Sequence, residues 1–499
     1  METVESIRLI VPLVATLVAP FGIWLARKSE NQREAVSFVA AIIAFLGMLS
    51  YVPLVLAGKV LTLTVFTLLP GVTVRFCVDG LTLVFGLLST FLWFWVTSYN
   101  IGYMRSLKEH AQTRYYFCFA VAIFGAVGVA MAANVLTLYL FYEVISVFTY
   151  PLVAHHQDDE AFTGARKYMV YLMGTSKLFF LPAMALTYVL CGTLEFNLVD
   201  VVHGMFPAEV VAAHPHLVQL TYALYIAGLA KAALMPFHNW LPSAMVAPTP
   251  VSALLHAVAV VKAGVFSVSR VMLSGFGVDA LYNLNLGIPT AYVAAFTIVA
   301  ASLIALTKDD LKARLAYSTV SQLSYVVIGV AMLTPMAVQG GIMHIAHHGF
   351  SKITLFMGAG AIYVATHTKK ISLMGGMGRR MPWTFGAFAI AALSMIGVPP
   401  VCGFVSKWYM VNGAVDIHRY VLLCALLAST ILNAGYFTPI IIKAFFGKPA
   451  EGVDLEHYSE APLTMVVPLC LTATISVFLG LYPETFLNII KMFLFRGGY

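Results

Sequence analysis

Charge is scarce in this 499-residue chain: Asp, Glu, Lys and Arg together make up only 10% of it. Beside 60% hydrophobic residues, that scarcity excludes both a soluble globular domain and a disordered one, and leaves a polytopic helical membrane protein. Cysteine is thin as well. Cys77, Cys118, Cys191, Cys402, Cys424 and Cys470 include no C-x-x-C pair, which argues against iron–sulfur ligation by this chain. No glycine-rich loop has Walker or Rossmann spacing, so the energy for any transport comes from an ion gradient or a partner. The largest soluble-looking stretch, about residues 192–217, carries Glu195, Asp200 and Glu209 and is too short to be a domain. The first apolar run follows Glu2 and Glu5 with a single Arg8. It lacks the basic start and small-residue cleavage site of a signal peptide, and is expected to be a retained helix.

What is present is a series of apolar runs. A crossing helix needs about 20 apolar residues, and fourteen runs of that kind begin near residues 7, 34, 79, 113, 134, 168, 218, 246, 286, 317, 340, 383, 417 and 461. The fold class expected is therefore an all-α polytopic membrane protein of about 14 transmembrane helices. Basic residues test the count, because lysine and arginine prefer cytoplasmic loops. Loops that leave odd-numbered spans hold seventeen of them, including Arg27, Arg105, Arg166, Lys312, Arg379 and Lys443. Loops that leave even-numbered spans hold four: Lys59, Arg75, Arg270 and Arg419. This alternation puts both termini on the outer side, and it accounts for the net charge of +7 without nucleic acid.

Five lysines, Lys177, Lys231, Lys262, Lys352 and Lys407, and one glutamate, Glu143, fall inside the spans. Intramembrane ionisable residues are costly and mark ion pathways. Two spans are interrupted close to such a lysine. Pro236, Pro242, Pro248 and Pro250 follow Lys231, and Gly397, Pro399, Pro400 and Gly403 precede Lys407. Prolines stop helices and free carbonyls, so helices 7 and 12 are expected to be discontinuous, at matching places of two inverted repeats; two ordinary kinks are the plainer explanation. The units expected are 1–112 (helices 1–3), 113–274 (first repeat, helices 4–8), 286–448 (second repeat, helices 9–13) and 449–499 (a loop, helix 14 and a short tail). Polar stripes add to the charges. His344, His347, His348, Ser351 and Lys352 are spaced to share one helix face, as are Tyr139, Glu143, Ser146 and Tyr150, and again Ser318, Ser321, Gln322 and Tyr325. Such faces either glue helices together by hydrogen bonds or relay protons, for which histidine is suited. Metal binding by His344 with His347 or His348 lacks an acidic or cysteine ligand, and no metal is assigned to this chain.

Four blocks carry a resemblance: FYEVISVFTYPLVAH around Glu143, KAALMPFHNWLPSAMVAPTPVSALLHA from Lys231 through His256, DDLKARLAYSTVSQLSY from Asp309, and GVPPVCGFVSKW around Lys407. Across nearly its whole length the chain resembles the antiporter-like proton-channel subunits shared by respiratory complex I, Mrp-type cation/proton antiporters and membrane-bound hydrogenases. With GARKYMVYLMGTSK following, the first block resembles the D subunit of Mrp antiporters and its hydrogenase-linked relatives more than a mitochondrial-type subunit. The chain ends about fifteen residues after its last span, without the long lateral helix of the family's largest subunits.

The resemblance implies a site. Glu143 is its helix 5 glutamate, Lys231 the lysine of broken helix 7, Lys262 that of helix 8, His348 with His344 the helix 11 histidine region, and Lys407 the charged residue of broken helix 12. Lys177, His256 and Lys352 are additional candidates, Lys177 as a second partner for Glu143. The mechanism this suggests is a Glu143–Lys231 pair that opens and closes and passes a proton to Lys262, the histidines and Lys407. The function implied is proton translocation by a membrane subunit of a multisubunit energy-converting complex (NADH dehydrogenase-like or hydrogenase-like) driven by a redox partner. The alternative is a D-type subunit of an Mrp-like sodium/proton antiporter without redox chemistry; a structural role, with the charges as packing features, is the third class. No redox chemistry and no cofactor are expected in this chain, while partner subunits carry iron–sulfur clusters, flavin or a metal centre. The partners implied are homologous antiporter-like chains, small hydrophobic subunits, the lipid bilayer, and protons or sodium. The membrane implied is a prokaryotic cytoplasmic membrane. Glu143 is the only carboxylate placed mid-span, and sodium favours several oxygen ligands, so the chemistry leans to protons.

Overall fold

The structure is a computed structural model that describes residues 2–253, 259–449 and 455–495; His256 lies outside the described residues. Its helices, in chain order, are α1 (Ile7–Leu25), α2 (Glu30–Leu56), α3 (Gly80–Ser106), α4 (Gln112–Ala130), α5 (Val135–Val153), α6 (Asp159–Cys191), α7 (Pro215–Gly228), α8 (Val260–Asn283), α9 (Gly287–Leu306), α10 (Leu311–Ala331), α11 (Pro335–Thr366), α12 (Pro382–Ile396), α13 (Cys402–Asp416), α14 (Tyr420–Phe446), α15 (Leu463–Leu481) and α16 (Glu484–Leu494). Among the described residues, ten of these (α1–α6, α8, α9, α14 and α15) are long and apolar enough to cross a membrane. Helices α10 and α11, of 21 and 32 residues, bury most of their polar side chains.

Short polar side chains set where several helices begin. Asp79, Asn134, Asp158 and Asp310 each accept a hydrogen bond from the backbone N–H three residues on, which satisfies a donor that the first turn leaves open. Asp158 explains a shift: the sixth span, expected near residue 168, starts at Asp159, a turn and more before its apolar stretch. The eighth, expected near 246, becomes a long described helix only at Val260, because Pro242, Pro248 and Pro250 break the intervening chain into single turns.

The all-helical expectation lacked a three-stranded sheet. Strand β1 (Glu2–Glu5) pairs in parallel with β2 (Lys59–Leu69), which pairs antiparallel with β3 (Val72–Val78). The apolar run K59–L69 is too short to cross as a helix and is rich in Val, Thr and Phe, which favour a pleated surface. Gly71, at φ +74°, makes the turn between the strands. The sheet sits at one end of the bundle with the 192–207 segment, to which it is tied by Arg75–Glu195 and by Asn134 bonding both Thr73 and Glu195. The loops rich in lysine and arginine meet at the other end. There Arg105 pairs with Glu34, Arg33 donates to Gln112, Arg114 donates to the carbonyl of His155, and Arg379 donates to that of Phe445.

Arg270, expected in a loop, is instead inside α8 and fully buried. Its Nη1 and Nη2 donate to Asp79 Oδ2 and Oδ1 at 2.6 and 2.9 Å, and Nη2 also reaches Thr82 Oγ1 at 3.1 Å. The carboxylate that starts α3 thus anchors α8 two turns beyond Lys262. Removing one partner of such a pair strands the other charge, at a cost of about 3–5 kcal/mol, whereas replacing both with apolar residues is far milder. Asp79→Asn is therefore expected to lower the thermal unfolding temperature of the purified complex markedly, and Asp79→Leu combined with Arg270→Met to lower it less.

Candidate functional site

The ionisable residues lie on α5, α6, α8, α11, α13 and the break after α7. In α6 one turn of π-helix, Ser176–Phe180, interrupts the α-helical ladder. Such bulges re-aim a side chain and recur at functional sites. Here Lys177 Nζ donates to Glu143 Oε2 at 3.1 Å and to Tyr139 Oη at 2.7 Å. The Lys177 side chain is 47% exposed and that of Glu143 14%.

Glu143 is therefore paired with Lys177, and the expected Glu143–Lys231 pair is not formed. Lys231 sits fully buried in a short turn, Ala230–Ala232, beyond the end of α7. Its Nζ donates to the Tyr142 carbonyl at 2.8 Å and to Ser146 Oγ at 2.7 Å, over the face of the Tyr142 ring. Glu143 and Ser146 are three residues apart on α5, about 60° around the helix, and that angle separates the side facing α6 from the side facing the break. The approach of α8 to this break depends on Gly264, where a Cβ would lie 2.3 Å from the Lys231 carbonyl carbon and the Ala232 nitrogen.

On α8, Lys262 Nζ is hydrogen-bonded to His348 Nδ1 of α11. With lysine as donor, His348 carries its proton on Nε2, which has no hydrogen-bond partner among the described residues. The His348 ring stacks on His344 with centroids 5.7 Å apart. His344 bonds Ser406 Oγ at 2.8 Å and Gln322 Oε1 at 3.1 Å, which brings the row to α13. There Lys407 Nζ donates to the carbonyls of Met395 and Ile396 at 2.6 and 3.2 Å. These carbonyls are free because α12 stops at Gly397, whose φ of +95° suits glycine. An ammonium at a helix C-terminus is also favoured by the helix dipole.

The α11 stripe divides. His344, His348 and Lys352 recur every four residues and face Lys262, Gln322 and Ser318. His347 and Ser351 face the other way, where Ser351 Oγ meets Ser394 and Ser476 and the His347 carbonyl accepts from Cys402. Neighbours in sequence are about 100° apart on a helix, so one face of five residues resolves into two. The sequence reading also missed Tyr436 and Asn433 of α14. Lys352 Nζ donates to Ser318 Oγ at 2.8 Å, Tyr436 Oη lies 3.0 Å from the same oxygen and bonds Asn433, and Asn433 Nδ2 donates to the Met395 carbonyl at 3.1 Å. A second string thus runs from Lys352 to the carbonyl that holds Lys407. Tyr436 lies ten residues before the end of an apolar helix, and no spacing marks it.

Lys231, Lys262, Lys352 and Lys407 are all buried, and none makes an ion pair among the described residues. Four ammonium groups without a carboxylate in a low-dielectric bundle are costly together. At the basic end a cavity of about 500 Å³ opens among Tyr103, Glu109, His156, Asp310, Lys312 and Lys369.

Comparison with known proteins fits this geometry. Residues 132–433, from just ahead of α5 through Asn433, match the transmembrane family of NADH:quinone oxidoreductase and Mrp antiporter subunits. The chain belongs to that family. It is 32% identical over 403 residues to NADH-quinone oxidoreductase subunit N of Desulforudis audaxviator, covering 77% of each chain. It is 33% identical over 431 residues to subunit L of Mycobacterium tuberculosis, covering 83% of this chain and 65% of that one. In fold it superposes on a chain of the Mrp complex from Dietzia sp. DQ12-45-1b with a TM-score of 0.85 at 21% identity, covering 97% and 96% of the two chains.

The contact at Gly264 makes a direct structural forecast. Gly264→Ala is expected to push α8 off the Lys231 turn and to cost about 1–3 kcal/mol by overpacking, read as a lower unfolding temperature. Ala263→Gly, next to it and also buried, is expected to cost the helix penalty of about 1 kcal/mol and about 1 kcal/mol more for its lost methyl, with no displacement of α8.

Proposed function

We propose that the chain is a proton-translocating membrane subunit of a multisubunit energy-converting complex driven by a redox partner. The observation that carries this reading is the buried row of lysines and histidines, hydrogen-bonded to one another, to hydroxyls and to carbonyls, with its only mid-span carboxylate at one end. Hydroxyls and imidazoles pass protons, and Lys262–His348, His344–Ser406 and Lys352–Ser318–Tyr436 are links of that kind. Asp79 is matched by Arg270, so that carboxylate is not open to a sodium ion. The Met395 and Ile396 carbonyls hold Lys407 without passing a proton.

The switch we infer begins with Lys177 and Glu143. When they are paired, the carboxylate's field is spent on Lys177; when they part, it acts on Lys231. An opposite charge about 4 Å away at an effective dielectric near 20 is worth roughly 4 kcal/mol, enough to decide whether Lys231 keeps a proton or passes it to Lys262. Delivery against the membrane potential costs about 2.3 kcal/mol per charge per 100 mV, which the driver supplies. His256 remains a candidate member of the path.

The topology that goes with this reading has fourteen crossings: the ten long apolar helices, α10, α11 and two broken crossings through Lys231 and Lys407. It has inverted repeats over 113–274 and 286–448, both termini outside, and a prokaryotic cytoplasmic membrane as its place. The basic end is then cytoplasmic, and its cavity is the entry for protons. A neighbouring subunit covers Lys177, since a half-exposed lysine in an apolar flank with Leu178, Leu181 and Val170 does not face lipid. That neighbour is an antiporter-like chain or a small hydrophobic subunit, and clusters, flavin or a metal centre belong to the driver. The Mrp likeness in fold favours a second reading, a D-type subunit of a sodium/proton antiporter without redox chemistry.

Two measurements test this. Gentle purification from native membranes with mass spectrometry of the co-purifying subunits is expected to yield redox subunits; small hydrophobic antiporter subunits alone would sink the redox reading in favour of the second. In inverted vesicles, Lys231→Ala, Glu143→Gln and Lys262→Ala are each expected to cut proton translocation by about tenfold or more, the range of lost proton-transfer groups, and Tyr436→Phe severalfold. Undiminished translocation in the first three would overturn the pathway.

A further inference from the structure

At the basic end, outside the lysine row, three residues from two distant segments converge. Glu109 and His110 form the turn between α3 and α4, and His155 follows the end of α5. Each offers one ligand atom, and the three atoms lie within 4.8 Å of one another. We propose that Glu109, His110 and His155 form a binding site for a divalent transition-metal ion, zinc above all, at the mouth of the basic-end cavity.

His155 carries the argument. It is fully buried, yet neither ring nitrogen makes a hydrogen bond among the described residues. Buried imidazoles ordinarily find partners. Its backbone is held by Arg114, which donates to its carbonyl at 3.0 Å, and its ring lies 4.8 Å from that of His110. The contacts around Glu109 have metal spacing rather than hydrogen-bond spacing. His155 Nε2 is 3.6 Å and His156 Nδ1 3.7 Å from Glu109 Oε2, longer than a nitrogen–oxygen hydrogen bond. Zinc held at about 2.0–2.1 Å by nitrogen and oxygen in a tetrahedron sets its ligands roughly 3.3 Å apart. The Glu109–His155 pair is a few tenths of an ångström from that spacing, and the widest of the three separations, up to 4.8 Å, closes by an ångström or more when an ion is bound.

The donor set selects the metal. Two imidazoles and a carboxylate suit zinc or a neighbouring transition ion, whereas magnesium and calcium require oxygen ligands. The fourth position falls to His156 or to a ligand from the cavity, which Glu109 and His156 both line. A bound ion would fasten the α3–α4 turn to the end of α5 and place two positive charges at the cavity mouth. Glu109 and His110 are bracketed by Lys108 and Ala111, both with positive φ, and the turn presents their side chains on the His155 side. The sequence reading weighed metal binding only at His344–His348. These residues escaped it because 45 positions separate His110 from His155 and no motif joins them.

The test uses the full chain in its purified complex, stripped with EDTA and titrated with zinc against a chromophoric chelator, with cobalt(II) as a spectroscopic probe. The wild type is expected to bind one more zinc ion per chain than His155→Ala does, and to give the intense visible bands of tetrahedral cobalt. His110 is exposed, so His110→Ala keeps the fold intact and is expected to weaken that zinc by about tenfold or more, the scale of a lost interaction at a metal site. The same zinc stoichiometry in wild type and His155→Ala overturns the proposal. So does unchanged affinity in His110→Ala, which would mean a histidine–glutamate cluster that shares protons only.

Discussion

A charge placed in a low-dielectric bundle needs a partner, a function, or both, and the rest of this structure depends on that constraint. Asp79 and Arg270 meet it by neutralising each other in two parallel hydrogen bonds, and the pair ties α3 to α8 at the sheet end. The lysines meet it differently. Lys231 rests on a carbonyl and a hydroxyl, Lys262 on an imidazole, Lys352 on a hydroxyl, and Lys407 on two carbonyls. These partners stabilise an ammonium without a fixed negative charge, and they also suit a neutral amine. A carboxylate beside each lysine would have locked its proton in place.

The breaks in the helices follow from the same need. A continuous helix commits one lone pair of each carbonyl to its own ladder, so it offers an intramembrane ammonium less than a broken end does. Stopping α12 at Gly397 releases the Met395 and Ile396 carbonyls where Lys407 reaches them. Ending α7 ahead of Lys231 lets that lysine reach across to the Tyr142 carbonyl and Ser146 on α5. Glycine makes the close contacts: Gly397 adopts φ +95°, and Gly264 admits α8 against the Lys231 backbone. Proline and glycine near the charges are therefore part of how the charges are solvated.

Much of this was legible in the sequence because hydropathy and charge are read residue by residue. The apolar runs, the alternation of basic loops, the breaks near Lys231 and Lys407 and the buried ionisable groups all follow from local pattern. Partner choice was not legible. Whether Glu143 faces Lys177 or Lys231 turns on about 60° of helix rotation and on a π-helical turn that no spacing announces. Arg270 looked like a loop residue because its partner lies 191 positions away. Tyr436 and Asn433 sit in an unremarkable apolar helix, and only the packing of α14 beside α10 brings them to Ser318. The β2–β3 hairpin was hidden for a different reason: Lys59 and Arg75 mark its segment as a loop between two spans, and its short run of Val, Thr and Phe is too brief to draw attention beside them.

The row is asymmetric, and the asymmetry says where control enters. At the Lys407 end the ammonium is buried and held by backbone carbonyls, which are fixed by the helix they belong to and do not titrate. At the other end Glu143 and Lys177 face each other across α5 and α6, and Lys177 is half-exposed on the flank of the molecule. A change in what covers that flank alters a charge pair directly, and through Glu143 it alters the field at Lys231. Nothing comparable reaches Lys407 without moving a helix. A change outside the chain therefore reaches the buried charges at the Glu143 end with least structural work.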